Sequence, residues 1–271
     1  PAPSARRPGS SPPPSPTGDD FAISGSAGGY NKPNQNRPFY HDGTWWTLAR
    51  KSSDSKWYVW KLSGSNWSAQ VALDERSSTR PDCYVAAAAN KLYVLLATSS
   101  GSGTRFTRLS YSGGSFSIDG GFPVTLSNFT FTGEYCIVLT KAKNGDLWAF
   151  RYKSSKVYAM KSSDTGANWS SIITVKSSIV STGLVDAVAF TSGGSNYLGV
   201  GYAENTGSGT IYGFLKHKDG DSDGSWSDET SSLPQPSNAD SDDHMSMAVT
   251  QNNEIYFIYK THPDGGSAPG I

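Results

Sequence analysis

Charge and cysteine are both scarce in this 271-residue chain. Lys and Arg number 23 against 23 Asp and Glu, so the formal net charge is zero, and charged residues make up only 17% of the sequence. Such a balance builds no basic surface for nucleic acid or anionic membrane, and neither is expected as a partner. Two cysteines, Cys83 and Cys136, are too few for a disulfide scaffold; one bridge between them and two buried thiols both stay open. No apolar run approaches the roughly 20 residues that cross a bilayer, and no signal-type segment follows the opening Pro-Ala-Pro-Ser. The four histidines have no zinc spacing and no C-x-x-C occurs. A G-x-S-x-G elbow, a phosphate loop and a dinucleotide fingerprint are absent too, which removes nucleotide chemistry.

The chain is instead rich in glycine (29), proline (15) and aromatics (8 Trp, 14 Tyr, 11 Phe). That is the composition of a turn-rich all-β protein whose size suits one core. Residues 1–20 are Pro, Ser, Gly and Arg with almost nothing to bury, so they are expected to form a disordered linker to an additional upstream domain. Linkers of this kind are common in secreted polysaccharide-processing proteins, and a secreted, extracellular location is expected on that association. The folded domain is expected over 21–271.

Within it a hairpin recurs five times, at the turns His41–Thr44, Ala88–Lys91, Lys143–Asp146, Ser192–Ser195 and Asn252–Glu254. Four of the hairpins are followed by a further strand and turn closing on Asn66-Trp67-Ser68, Ser115-Phe116-Ser117, Asn168-Trp169-Ser170 and Ser225-Trp226-Ser227. The anchoring aromatics are 49, 53 and 57 residues apart by subtraction of their numbers. A four-stranded unit with this period is the blade of a β-propeller. The inner strands are read as the apolar runs Val85–Ala89, Ile137–Leu139, Ala187–Phe190 and Met245–Val249. The fifth hairpin ends at Lys260-Thr261, and His262–Ile271 is too polar to supply two more strands. Either the stretch near Phe21-Ala22-Ile23 completes the last blade, or the chain is part of a six- or seven-bladed ring.

The turn Ser162-Ser163-Asp164-Thr165-Gly166-Ala167-Asn168-Trp169 resembles the Asp box, S-x-D-x-G-x-T-W, of sialidase-like (BNR-repeat) propellers, with Asn168 in place of Thr. Degraded versions stand at Ser63–Trp67, Ser112–Phe116 and Asp221–Trp226. The resemblance implies a stapled blade over residues 37–261 and a carbohydrate ligand. Of the residues that sialidases use, the early Arg-Ile-Pro is absent, and Arg37-Pro38 and Arg80-Pro81 are partial echoes. Glu134-Tyr135 sets the nucleophile-pair residue types side by side.

Carboxylates stand just before the inner strands: Asp82, Glu134, Asp186 and the Asp242-Asp243 pair, the last followed by His244. Placed at one mouth of the central channel, two of them would serve a glycosidase as acid and base or nucleophile. His244 with Tyr135 and Arg80 or Arg151 would instead serve a polysaccharide lyase. A non-catalytic lectin is the third reading, with aromatics such as Trp46 stacking on sugar rings. Arg37, Arg80, Arg151, Lys260 and Trp46 are the expected substrate-binding residues. Asp219, Asp221 and Asp223 match the first half of a D-x-D-x-D-G loop and point to a structural calcium ion at the outer rim.

Overall fold

The computed structural model describes residues 37–76, 80–97, 103–130, 137–179, 184–205, 210–233 and 241–261. The expected linker and the start of the domain at residue 21 lie outside them. All regular structure in the described residues is β, apart from two single-turn 3-10 segments. The first blade is β1 (Phe39–His41), β2 (Thr44–Arg50), β3 (Trp57–Ser63) and β4 (Asn66–Asp74). The second holds β5 (Arg80–Ala86), β6 (Lys91–Ala97), β7 (Thr104–Ser112), β8 (Ser115–Ile118) and β9 (Val124–Leu126). β8 and β9 are two halves of one outer strand, because both pair with β7, at Leu109–Ser112 and Thr104–Phe106. Gly120, Gly121 and Pro123 interrupt the run between them. The third blade is β10 (Ile137–Lys141), β11 (Leu147–Lys153), β12 (Lys156–Ser162) and β13 (Ile173–Lys176), and the fourth β14 (Val185–Ser192), β15 (Ser195–Asn205), β16 (Thr210–Lys218) and β17 (Ser227–Asp228). The fifth has only β18 (Ser241–Val249) and β19 (Ile255–Thr261) among the described residues.

Every sheet is an antiparallel meander in chain order, as the five hairpins require. The second inner strand begins and ends earlier than its apolar run suggests. It stops at Ala86, and Ala87–Ala89 form a 3-10 turn that Asn90 closes in the left-handed region (φ 51°). Asn tolerates that conformation where alanine does not, so the turn starts earlier than hydrophobicity alone places it.

Blades stack face to face, and four apolar cores lie between them. The phase of β6 makes this visible. Leu92, Val94 and Leu96 pack towards the first blade with Trp46, Leu48 and Trp57, while Tyr93, Leu95 and Ala97 pack towards the third with Ile137, Leu139 and Leu147. Both faces of the strand are buried, so its sequence is an unbroken apolar run rather than an alternating one. The same arrangement joins the third blade to the fourth through Val138, Phe150, Ala187 and Val200, and the fourth to the fifth through Phe190, Phe214, Met245 and Met247.

At the rim the turn around Asp164 closes on bonds from its own side chains. Ser162 Oγ donates to Asp164 Oδ1 (2.8 Å) and accepts from Gly166 N (2.9 Å), and Asn168 donates to both Asp164 oxygens through its backbone and side-chain nitrogens (2.9 and 2.7 Å). The backbone N–H of Asn168, followed by its side chain and Ser162, holds the carboxyl at about 2. Trp169 then donates its indole N–H to Gly166 O (3.1 Å), and Trp226 repeats the device one blade on, donating to Asp223 O (3.0 Å).

Candidate functional site

The inner strands β5, β10, β14 and β18 pack side by side and wall an axial cavity of about 590 Å³. Tyr84, Leu139, Lys141, Asp186 and Met247 line it, together with the β10–β11 turn from Ala142 to Gly145. Lys141 is half-buried and Lys143 exposed. Neither makes an ion pair among the described residues. Burial raises the Tyr84 phenol above the ordinary tyrosine range, so it stays a neutral hydrogen-bonding group at the wall.

Of the carboxylates expected at the channel mouth, Asp186 lines the cavity and Asp82 does not, and both are bonded to the next blade. Asp82 is fully buried, and its Oδ2 accepts the backbone N–H of Leu139 in the next blade (2.6 Å). Asp186 repeats this one interface on, where its Oδ2 accepts Met247 N (2.7 Å) and Ser246 Oγ (3.3 Å) while its Oδ1 accepts Ala187 N (2.8 Å). Both therefore latch the inner strand of one blade to that of the following blade. The reason is strand phase. Asp82 lies on the face of β5 that carries Tyr84 and Ala86 into the core shared with the third blade. Asp186 lies on the face of β14 that carries Val188 and Phe190 towards the fifth. Burial pushes the Asp186 carboxyl up to about 7, against the pull of its hydrogen bonds from Met247, Ala187 and Ser246.

Glu134, Tyr135 and Cys136 lie outside the described residues, so the two nucleophile-pair residue types and the bridge to the buried Cys83 fall there too. Asp242, Asp243 and His244 are part of β18 and Lys260 of β19, with their side chains outside the description.

Three of the expected ligand-binding residues are instead packed away. Trp46 is fully buried against Phe116 (centroids 4.9 Å) and donates its indole N–H to His41 O (3.2 Å). Arg151 is buried with its guanidinium 4.6 Å from the Phe129 ring centroid, and Nη1 donates to Asn128 O (2.8 Å) and Thr130 O (2.5 Å). Desolvation lowers its pKa from the usual arginine value. Arg37 is buried next to the first strand, its carbonyl accepting Leu48 N (3.3 Å). Arg80 is half-buried on β5. The sequence signal for these sites was residue type, and type does not say which strand face is covered by a neighbouring blade.

In the expected calcium loop, Asp219 Oδ2 accepts the backbone N–H of Asn144 (2.9 Å) and Asp223 Oδ1 the ammonium of Lys161 (2.9 Å), while Asp221 is exposed. No group of three or more His, Cys, Asp or Glu able to hold a metal ion comes together among the described residues. Lys161 also pairs with Asp146 (3.1 Å), so one ammonium joins the rims of the third and fourth blades. Burial works against its charge, but Asp223 and Asp146 outweigh it and hold the ammonium above the usual lysine range. Lys161→Met leaves these two carboxylates without their shared cation and is expected to cost about 1 kcal/mol at low salt, less at 1 M NaCl. Urea melts at the two ionic strengths measure the difference, and an effect independent of salt would contradict the ion-pair account.

No protein-family model matches the chain, and no curated protein sequence does. Solved structures do. The chain is similar to the NanB sialidase from Streptococcus pneumoniae in complex with 2-[(3-chlorobenzyl)ammonio]ethanesulfonate, at 14% identity and a TM-score of 0.54 over 84% of this chain. It is similar as well to a mutant of the Aleuria aurantia lectin in complex with alpha-methyl-L-fucoside, at 14% identity and a TM-score of 0.50 over 80% of this chain. It spans 37% of the length of the sialidase chain and 66% of the lectin chain. At these identities the likeness is one of fold, and that fold is the β-propeller.

Proposed function

We propose that this protein binds a glycan in its axial cavity and acts as a carbohydrate-binding propeller of sialidase-like, Asp-box type, working outside the cell. One observation carries the reading. The inner strands line an open cleft of about 590 Å³, within the range of ordinary small-ligand sites, and the lining combines a phenol, two ammonium groups and backbone amides and carbonyls with small apolar side chains. These are hydrogen-bonding partners for sugar hydroxyls beside surface for a pyranose C–H face. The names of the sialidase and lectin structures are in keeping with a sugar ligand. Binding is favoured over hydrolysis by Asp82 and Asp186, because both carboxylates are already committed to the amides of a neighbouring blade.

A hydrolytic reading has its own specific support. Asp186 lines the cavity, and a carboxyl with its proton retained close to neutral pH has the property of a general acid. Incubation with a panel of polysaccharides and sialosides, with products read by mass spectrometry, separates the readings. Retention of a glycan without products supports binding alone. Products carrying added water establish a hydrolase, and unsaturated uronic ends a lyase. On the binding reading Lys141→Ala and Tyr84→Ala each weaken retention of that glycan by about tenfold, the equivalent of roughly one lost hydrogen bond. Unchanged retention in both variants would move the site elsewhere.

A further inference from the structure

A second open cleft, of about 550 Å³, lies between the outer edges of the second and third blades. One wall is β9 with Ser127 and Asn128 after it, and the other is the run from Ala167 to Ile172 that closes the Asp164 turn. Met160, buried in the core between the two blades, stands at its base. The cleft shares no lining residue with the axial one.

The rim tryptophans set this interface apart from the next. Trp169 and Trp226 make the same hydrogen bond, from the indole N–H to the carbonyl three residues back. Trp226 is then packed among three rings, with centroids of Trp148 at 5.9 Å, Phe150 at 5.8 Å and His217 at 4.9 Å. Trp169 has one ring neighbour among the described residues, Phe106, in a T-shaped contact at 5.1 Å. That leaves indole surface to line the cleft beside Ile172, which is 38% exposed. The polar part of the lining is uncharged. No Asp, Glu, Lys or Arg lines the cleft among the described residues. Thr125, Ser127, Asn128 and Ser171 are exposed there, and their side chains have no hydrogen-bond partner among the described residues. The backbone that carries them is held in place. Asn128 O accepts the buried Arg151 Nη1 (2.8 Å), and Ser170 Oγ accepts Lys161 N (3.0 Å) and donates to Ser171 O (2.8 Å).

We infer that this cleft is a second glycan site and that it takes a neutral pyranose unit, with the C–H face of the sugar on Trp169 and Ile172 and its hydroxyls bonded by Asn128 and the surrounding hydroxyl groups. An indole face beside an amide, which donates and accepts, and hydroxyls, which do both, matches the alternating surface of a sugar ring. The volume is within the range of small-ligand sites. Charge selects against acidic sugars, because a carboxylate leaving water for this cleft meets no cation, whereas Lys141 and Lys143 offer two at the axial cleft.

The test titrates the full isotope-labelled chain with maltohexaose, cellohexaose, xylohexaose and mannohexaose, and with hexagalacturonate as the acidic counterpart, and follows side-chain N–H signals by NMR. The Trp169 indole signal is assigned by its loss in Trp169→Phe. The Asn128 amide pair is assigned by its loss in Asn128→Gly, a change the backbone accepts because Asn128 sits at φ 62°. If Trp169→Phe fails to fold, the Asn128 pair still reports the cleft. The expected result is a saturable shift of the rim signals with at least one neutral probe and none with hexagalacturonate. Asn128→Gly, read at the Trp169 indole, is expected to bind that probe about tenfold more weakly. Rim signals that stay still with every neutral probe overturn the inference, and so does an equal response to hexagalacturonate. Shifts around Tyr84 and Lys141 report the axial cleft separately, so either site can fail while the other stands.

Discussion

Between about pH 4 and about pH 8 the protein is expected to lose stability that its Asp186→Asn variant keeps. The folded carboxyl titrates at about 7, raised by burial from a reference of 3.8. A raised folded pKa means that the native state holds its proton more tightly than the unfolded chain. The stabilisation is therefore complete below the unfolded pKa, declines as pH rises through the interval and is gone above the folded pKa. Three pH units correspond to a loss of up to about 4 kcal/mol. Asn has no proton to lose, and its Oδ1 still accepts Met247 N–H, but its amide NH₂ meets the N–H of Ala187. The variant should start about 1–2 kcal/mol below the parent at acid pH and stay level. Urea unfolding of both proteins across this range measures the difference between the curves, which cancels the carboxylates they share. Parallel curves would place the Asp186 proton elsewhere. The same titration bears on function, since it sets the pH at which the cavity wall acquires a negative charge.

Gly166→Ala is expected to cost about 2–4 kcal/mol. Gly166 sits at φ +91°, where a Cβ is strained, and that Cβ would stand 1.9 Å from Phe106 Cε1. The ring cannot yield as the tip of a flexible side chain would. Phe106 is fully buried and held by Tyr93 (6.0 Å), Phe122 (5.9 Å) and Trp169 (5.1 Å). Left-handed strain contributes about 1 kcal/mol and overpacking about 1–3. Gly43→Ala separates the two parts. Gly43 also has a positive φ, +77°, but nothing lies within 4 Å of its added Cβ, so only the strain remains and about 1 kcal/mol is expected. Equal losses at the two positions would show that the contact with Phe106 relaxes freely. The larger loss at Gly166 would measure how far the Asp164 turn docks the third blade onto the second.

The hairpins, the blade repeat and the rim aromatics were legible in the chain because each depends on residues close together in sequence. A turn needs Asn or Gly at a left-handed position, a strand buried on both faces needs an unbroken apolar run, and the Asp164 turn closes on bonds within eight residues. The roles of the acidic residues were legible only in part. Their recurrence next to the inner strands was visible, but it carries two meanings. A carboxylate just inside a strand either faces the channel or reaches the next blade's backbone, and residue type is the same in both. The phase with Tyr84 and Ala86, or with Val188 and Phe190, contained the distinction, yet only once the next blade was known to cover that face. Trp46 and Arg151 were misplaced for the same reason, since a large amphipathic side chain suits a sugar site and an inter-blade core equally well.

The sequence by itself thus determined the blade: its strand pairing, its turns and the aromatic that pins its outer edge, all set by local backbone preference and a period of two. The tertiary structure alone decided which face each inner strand turns to which neighbour. With that it decided that Asp82 and Asp186 join blades, that Lys161 links two rims through Asp146 and Asp223, and that the cavity wall belongs to Tyr84, Lys141 and Met247. These pairings, apart from Lys161 with Asp146, join residues more than 50 positions apart, and burial, which sets their energetics, exists only after the blades have stacked.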